Sequence, residues 1–337
     1  FVYEVETRLY GPPEKMRFKL VPSALPTGAG CTSRAHPMIC VVTCPAVRQR
    51  ILRTFVQLSR KVFQVNYQAF MMIMAGFFMA PKFHKMLRCH GVPITVVYSM
   101  DGSTGKTEAL TCGSALFGLG PDAIQGTNTE AGLYELCGNL FSDLPLILDD
   151  IEGGMTKRAQ QIEDTLKRAY NGKPRGCMNK QVMNGCPWFI SGNHVPCAHD
   201  QAVTSRQVQL TFRKIPSFDP RLMVYLREIR PLLSSLVVDI LQMPLNHAAR
   251  EECVLYMSQV FSGTGLATRC SENWGLFLYY RLMIQKLIPC TDSDWEDIFL
   301  FVREEVKQTT SEYGEGAGSF NKFKLLLEKQ LAHNDPY

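Results

Sequence analysis

Val92-Pro-Ile-Thr-Val-Val-Tyr-Ser-Met-Asp-Gly-Ser-Thr-Gly-Lys-Thr107 is the stretch on which the reading of this chain turns. Its first half is a short β-branched, apolar run, the composition of a strand. Its second half is a Ser/Gly loop ending in Gly105-Lys106-Thr107, where a helix is expected to begin. Strand, loop and Gly-Lys-Thr together make a phosphate cradle. Gly102 and Gly105 are expected to let the backbone curl, so that successive amides through Ser103 and Thr104 point at one anion. The following helix adds unpaired N–H groups and the positive end of its dipole. Lys106 is placed to reach the β and γ phosphates of ATP as a point charge, and Thr107 to give its hydroxyl to Mg2+. One position departs from Gly-x-x-x-x-Gly-Lys, which wants glycine at 100 where this chain has Met100. A serine-rich turn before a helix is the plainer alternative. The motifs further along the chain weigh against it.

The first of these is Leu144-Pro-Leu-Ile-Leu-Asp149-Asp150, an apolar strand ending in two acids. In phosphoryl transfer such a strand end sets one carboxylate beside the metal and a second near the attacking water. Asp149 is assigned to Mg2+ and Asp150 to the water. Cys186-Pro-Trp-Phe-Ile-Ser-Gly-Asn193 is another apolar strand, ending in an amide that can bond a γ-phosphate or orient water without adding charge. Thr204-Ser-Arg206 then precedes the strand Val208–Phe212, and Arg206 is placed to reach a neighbouring subunit's nucleotide. Each is common alone. Their order after a phosphate loop is the informative part.

Length and composition set the frame. A chain of 337 residues, 46% hydrophobic, can bury a full core and suggests two or three domains. A net charge of +5 says little about partners, so local clusters matter more. The 12 cysteines follow no repeated spacing and no signal peptide precedes them, which points to a reducing compartment, cytoplasmic or nuclear, and away from secretion. Cys31, His36, Cys40 and Cys44, like Cys186, His194, Cys197 and His199, lack the paired spacing of a strong zinc site. Phe70–Ala80 is too short to span a bilayer and reads as a buried helix. The chain begins with Phe1, which reads as a piece of something longer.

Four segments follow from the pattern. Residues 1–44 are irregular, with an edge strand in Phe1–Tyr10. Residues 45–92 are helical, their arginines (Arg48, Arg50, Arg53, Arg60) taken as a solvated face. Residues 93–216 alternate strands and helices: strands at Ile94–Ser99, Leu144–Leu148, Trp188–Ser191 and Val208–Phe212, helices at Lys106–Phe117 and Thr156–Tyr170, and a capping box at Thr127–Glu130. Residues 217–337 are all helical, with helices at Leu222–Gln242, Glu251–Phe261, Trp274–Leu287, Ser293–Ser311 and Phe320–Leu331. The expected fold is an α/β P-loop ATPase core, a parallel sheet flanked by helices on both sides.

The order Gly-Ser-Thr-Gly-Lys-Thr, Leu-Ile-Leu-Asp-Asp, Ile-Ser-Gly-Asn, Ser-Arg resembles the superfamily 3 helicase branch of the AAA+ ATPases. Ala-Tyr-Asn-Gly-Lys-Pro-Arg-Gly is similar to a segment of a helicase-like family of mobile-element proteins. The resemblance covers about residues 60–215. Many relatives carry Glu where this chain has Asp150. The resemblance implies a homo-oligomeric ring, a hexamer in the related helicases' manner, with no membrane, that translocates on or unwinds single-stranded nucleic acid, DNA in the first instance. Between residues 157 and 214 there are ten Lys/Arg and three Asp/Glu. In such rings a hairpin ahead of the Asn strand carries basic residues into the channel, and by resemblance these are Lys173, Arg175 and Lys180. Phosphates are gripped by charge, so no base specificity is implied. The alternative is a non-translocating switch ATPase of regulatory or defence type, which needs no nucleic-acid contact at that hairpin. A nucleoside kinase has no use for the amide motif and a trans arginine, and no Asn-Lys-x-Asp base reader of a G protein is present.

Overall fold

The computed structural model describes residues 2–5, 18–21, 39–40, 42, 44–89, 91–125, 132–133, 136–137, 144–149, 157–173, 175–177, 180–182, 185–198, 200–243, 245–262, 268–285 and 292–313. Its centre is a parallel sheet of β3 (Ile94–Tyr98), β4 (Ile124–Gln125), β5 (Leu146–Leu148), β8 (Trp188–Gly192) and β9 (Gln207–Thr211), in the order β4-β5-β8-β3-β9. The strands are short, β-branched and aromatic runs, and β3 and β8 are buried along their whole length, as a sheet covered on both faces demands. The register sets Tyr98 beside Gly192 and Leu148 beside Ile190, so three neighbouring strands end almost level.

Helices α1 (Pro45–Phe63), α2 (Tyr67–Met79) and α3 (Phe83–Cys89) precede the sheet. The apolar stretch within Pro45–Leu87 is mostly buried inside the fold. Phe77 of α2 stacks on Phe189 of β8 at 3.9 Å, and Phe63 stacks on Phe70 at 4.2 Å. Of the arginines read as a solvated face, Arg50, Arg53 and Arg60 are exposed and Arg48 is half-buried, while Arg48 and Arg60 also hold acidic partners. Arg48 pairs with Asp239 at 3.0 Å, and Arg60 pairs with Asp294 while lying over Tyr67. Both partners come from the C-terminal helices, which sequence spacing could not bring near.

Helix α4 (Lys106–Ser114) follows β3 and runs on as a 3-10 turn to Phe117. Helix α5 (Lys157–Tyr170) precedes a hairpin of β6 (Arg175–Cys177) and β7 (Lys180–Val182), and α6 (Gln201–Thr204) precedes β9. Beyond the sheet come α7 (Pro220–Ile229), a 3-10 stretch Arg230–Leu236, α8 (Val237–Gln242), α9 (His247–Val260), α10 (Thr268–Gln285) and α11 (Asp292–Tyr313). Caps fix several starts: Asp219 accepts from Arg221 N, and Asn246 from Ala249 N. Buried residues of the flanking helices and of the sheet form one continuous core.

The expected edge strand near the N-terminus does not join this sheet. β1 (Val2–Val5) pairs antiparallel with β2 (Phe18–Val21) in a separate two-stranded ribbon. Residues 217–242 are broken by the 3-10 stretch where Pro231 removes a helical donor. The capping box at Thr127–Glu130 and the helix Phe320–Leu331 lie outside the described residues.

Candidate nucleotide-binding site

The loop after β3 takes the left-handed backbone at Gly105 (φ +90°), the residue that caps α4. Ser103 also sits there, at φ +57°, a conformation costly for a residue with a Cβ. The curl expected of Gly102 is thus carried by Ser103; Gly102 stays out of the left-handed region and has open space around it. Met100, in place of the motif's first glycine, is 89% exposed and packs on nothing that would block the loop.

Lys106 opens α4 and is only 8% exposed. Its Nζ donates to Asn193 Oδ1 at 3.2 Å and to Asp101 O at 3.5 Å. Thr107 Oγ1 donates to Asp149 Oδ2 at 2.9 Å. Ser191 Oγ, one strand over, donates to the other oxygen of Asp149. Thus β3, β8 and β5 each deliver one part of a single cluster at their carboxyl ends, the place where open α/β sheets bind ligands. Asp150 lies outside the described residues.

Behind the loop, Asn66 is 1% exposed and fully used. Its amide donates to Arg213 O at 2.8 Å and Thr104 O at 3.4 Å, and its oxygen accepts from Arg213 N at 2.8 Å. It pins the loop backbone to the end of β9. Neither Asn66 nor Ser191 was singled out from the sequence. Each had a signal: a polar residue inside an apolar run, Gln-Val-Asn-Tyr and Phe-Ile-Ser-Gly. Glu108, in the first turn of α4, pairs with Arg227 at 2.9 Å and Arg230 at 2.8 Å, linking the loop helix to the C-terminal helices.

Arg206 does not join this cluster. Its carbonyl accepts from Ile94 N at 3.0 Å, level with the start of β3 and so at the opposite end of the sheet. Its guanidinium lies 5.6 Å from the Tyr170 ring centroid and bonds Ala202 O. Arg269 approaches the same ring at 5.6 Å. Burial, then repulsion from Arg269, lowers the Arg206 pKa, and burial pushes the Tyr170 hydroxyl up to about 12. Tyr170 Oη donates to Asn273 Oδ1 at 3.1 Å, and Asn273 Nδ2 donates to Ser205 O at 3.0 Å, so the loop before β9 is sewn to α10.

The hairpin expected before the Asn193 strand is present as β6 and β7, with Arg175 opposite Val182 and Cys177 opposite Lys180. Lys173 precedes the hairpin. Gly172, at φ +60°, ends α5, and Lys173 N donates to Arg168 O at 3.0 Å as part of that helix end.

The residues present fit a bound nucleotide with Mg2+. The buried Thr104 Oγ1 has no hydrogen-bond partner among the described residues, although it sits inside the loop. A hydroxyl and a carboxylate, Thr107 and Asp149, form a hard oxygen donor set suited to Mg2+, which needs few protein ligands when substrate phosphates supply the rest.

The fold and loop define an α/β P-loop NTPase. Among solved structures the chain is similar to an active helicase, Cch of SCCmec type IV, with a TM-score of 0.57 at 12% identity, over 76% of this chain and 51% of that one. This chain therefore spans about half the length of that helicase. It also matches the JCV helicase at 13% identity over 68% of this chain and 73% of that one, with a TM-score of 0.30 that carries no argument. No family model and no curated protein matches the chain.

Proposed function

We propose that the chain is an ATP hydrolase that drives translocation on, or unwinding of, single-stranded nucleic acid as a ring of identical subunits. The observation that carries this reading is the meeting of Lys106 with Asn193, at 3.2 Å, and of Thr107 with Asp149, at 2.9 Å, across three adjacent strand ends. It is the constellation that phosphoryl transfer needs, because such chemistry is done by positioning and charge rather than by covalent catalysis. The amides of residues 102–105 and the α4 N-terminus bind and orient the phosphates. Lys106 exchanges its carbonyl and amide partners for phosphate oxygens. Thr107 and Asp149 would hold Mg2+, which neutralises charge developing on the phosphates. Ser191 keeps the Asp149 carboxylate turned toward Thr107. Asp150 and Asn193 are assigned to the attacking water, and Arg206 to the nucleotide of an adjacent subunit.

The Cch helicase, with its similar fold, supports the nucleic-acid reading, as does the basic hairpin that the superfamily 3 resemblance puts in a ring's channel. One observation favours the switch ATPase instead: Arg206 is engaged within its own subunit, on Tyr170 and Ala202. The experiment that separates the two measures ATP turnover with and without single-stranded DNA. Stimulation is expected, and changing Lys173, Arg175 and Lys180 together to Ala should remove it and reduce the log–log salt slope of DNA binding by about 0.7 for each lost phosphate contact. Turnover indifferent to DNA, with an unchanged slope in the triple variant, would leave the switch.

A further inference from the structure

Away from the cradle, and sharing no residue with it, a cavity of about 460 Å3 opens between α3, the end of α8, the start of α9 and α10. That volume falls within the range of small-molecule sites, about 300–1,000 Å3. Its polar lining is cationic or neutral: Lys82, Lys85, His247 and Arg250, with no carboxylate among the described residues that line it. Met86, Leu276 and the buried Tyr279 and Tyr280 supply an apolar, aromatic floor.

One of these charges, Lys82, is held in place without being neutralised. Lys82 Nζ donates to Leu241 O at 2.7 Å, which fixes the ammonium in the cavity wall without supplying a counter-charge. Burial, then repulsion from Lys85, lowers the pKa of Lys82. Burial pushes the Tyr280 hydroxyl up, and Arg250 lies near enough to oppose it. Among the described residues no ion pair relieves Lys82, Lys85 or Arg250. Asn246 caps α9 and His247 begins it, so the positive end of that helix also meets the cavity. Like charges gathered around an apolar floor raise the potential of the empty site and lower it once an anion enters.

We propose that this cavity is a second ligand site, which takes a phosphomonoester carried on a flat, apolar body of about mononucleotide size. Two lysines and an arginine suit a dianion better than a single carboxylate, and the planar guanidinium of Arg250 matches paired phosphate oxygens. The body lies against Leu276 and the tyrosines. Free mononucleotide and the 5′-phosphate end of a strand share this chemistry.

The test titrates the intact chain, without Mg2+, with 5′-AMP, adenosine, and an oligodeoxynucleotide bearing either a 5′-phosphate or a 5′-hydroxyl. AMP should bind at least about tenfold more tightly than adenosine, the difference a charge-assisted contact supplies. Lys85→Glu with Arg250→Glu should lower AMP affinity by at least about tenfold, and Lys85→Ala with Arg250→Ala serves if the first pair melts early. AMP affinity should survive Lys106→Ala. A preference of the same charge-dependent kind for the 5′-phosphorylated strand identifies a strand end as the source, and its absence alongside AMP binding identifies free nucleotide. The proposal is overturned if adenosine binds as well as AMP, if neither charge variant weakens binding, if Lys106→Ala abolishes it, or if no phosphomonoester binds at millimolar concentration.

Discussion

The two ends of the central sheet are built on different terms. At the carboxyl ends, Lys106, Thr107, Asp149 and Asn193 converge within hydrogen-bond reach and need no other subunit to meet. At the amino ends, Arg206 rests on Tyr170 among Arg269 and Asn273, with the charge of Asp200 near enough to act on it and no ion pair among the described residues. The first end is assembled within one chain. The second holds a half-buried cation, its guanidinium over the Tyr170 ring and bonded to Ala202 O. The proposed function accordingly asks two things of the molecule: a cradle assembled within one chain, and an Arg206 that acts on an adjacent chain.

Breaking the first half should have the largest effect. Lys106→Ala should abolish tight ATP binding, because Lys106 is the lysine that opens the helix directly after the Gly/Ser loop. Asp149→Asn should leave nucleotide binding weakened but measurable and cut Mg2+-dependent turnover by about a hundredfold or more. Fluorescent-nucleotide titration and phosphate release read the two separately. Undiminished binding in Lys106→Ala would remove the cradle from this loop.

Breaking the second half should leave binding and remove turnover. Arg206→Ala is expected to lower turnover by about a thousandfold, the scale of an arginine supplied across a subunit boundary. Mixed with Lys106→Ala protein it should regain activity, since some interfaces then pair an intact cradle with an intact arginine. No recovery in assemblies shown to be mixed would make Arg206 a residue of its own subunit only, and the stacking on Tyr170 its whole purpose.

The asymmetry between the ends also governs what could be read from the sequence. The cradle was legible because its parts are runs of neighbours: β3 with its loop, β5 with Asp149, β8 with Asn193. Strand ends advertise themselves where an apolar run meets a polar residue. The hairpin was legible because turn chemistry brackets it, Asn171-Gly172 at the end of α5 before β6 and Asn184-Gly185 after β7, although Arg175 and Gly176 belong to the strand itself. What could not be read depends on long-range closure. The environment of Arg206 is made by Tyr170 and Asn273, brought together only by α10. The pairing of β1 with β2 instead of the main sheet, and the ties of Arg48 and Arg60 to Asp239 and Asp294, have the same origin. Two-residue β4 is too short for any periodicity to mark it. Ser103, where a glycine's backbone is needed, breaks a local rule at the site itself, which is where such strain is expected.

Asn66 sharpens the comparison by asking what keeps the first end in shape. Asn66→Ala removes three hydrogen bonds, one buried and two part-buried, that Asn66 makes to the backbone of Thr104 and Arg213. A cost of about 2–3 kcal/mol is expected, seen as a lowered denaturation midpoint. Nucleotide affinity should fall with it, because the loop loses its anchor to β9. Weakened folding with full affinity would show that the loop is held by its own conformation.

The smallest effect concerns the link between the cradle and the C-terminal helices. Glu108 pairs with two arginines that differ in surroundings: the Arg230 side chain is 14% exposed and that of Arg227 is 58% exposed. Its bond to Glu108 raises the pKa of Arg227, but the group is largely in solvent, where screening leaves a pair worth little. Arg230→Gln should therefore cost about 1 kcal/mol and Arg227→Gln a few tenths at most. Raising the salt should shrink the Arg227 effect first, since only the exposed pair is screened. The double change should cost more than Arg230→Gln alone only at low salt. Equal costs for the two single variants, at any salt, would mean that Glu108 serves both arginines alike and that burial does not set the strength of this clasp.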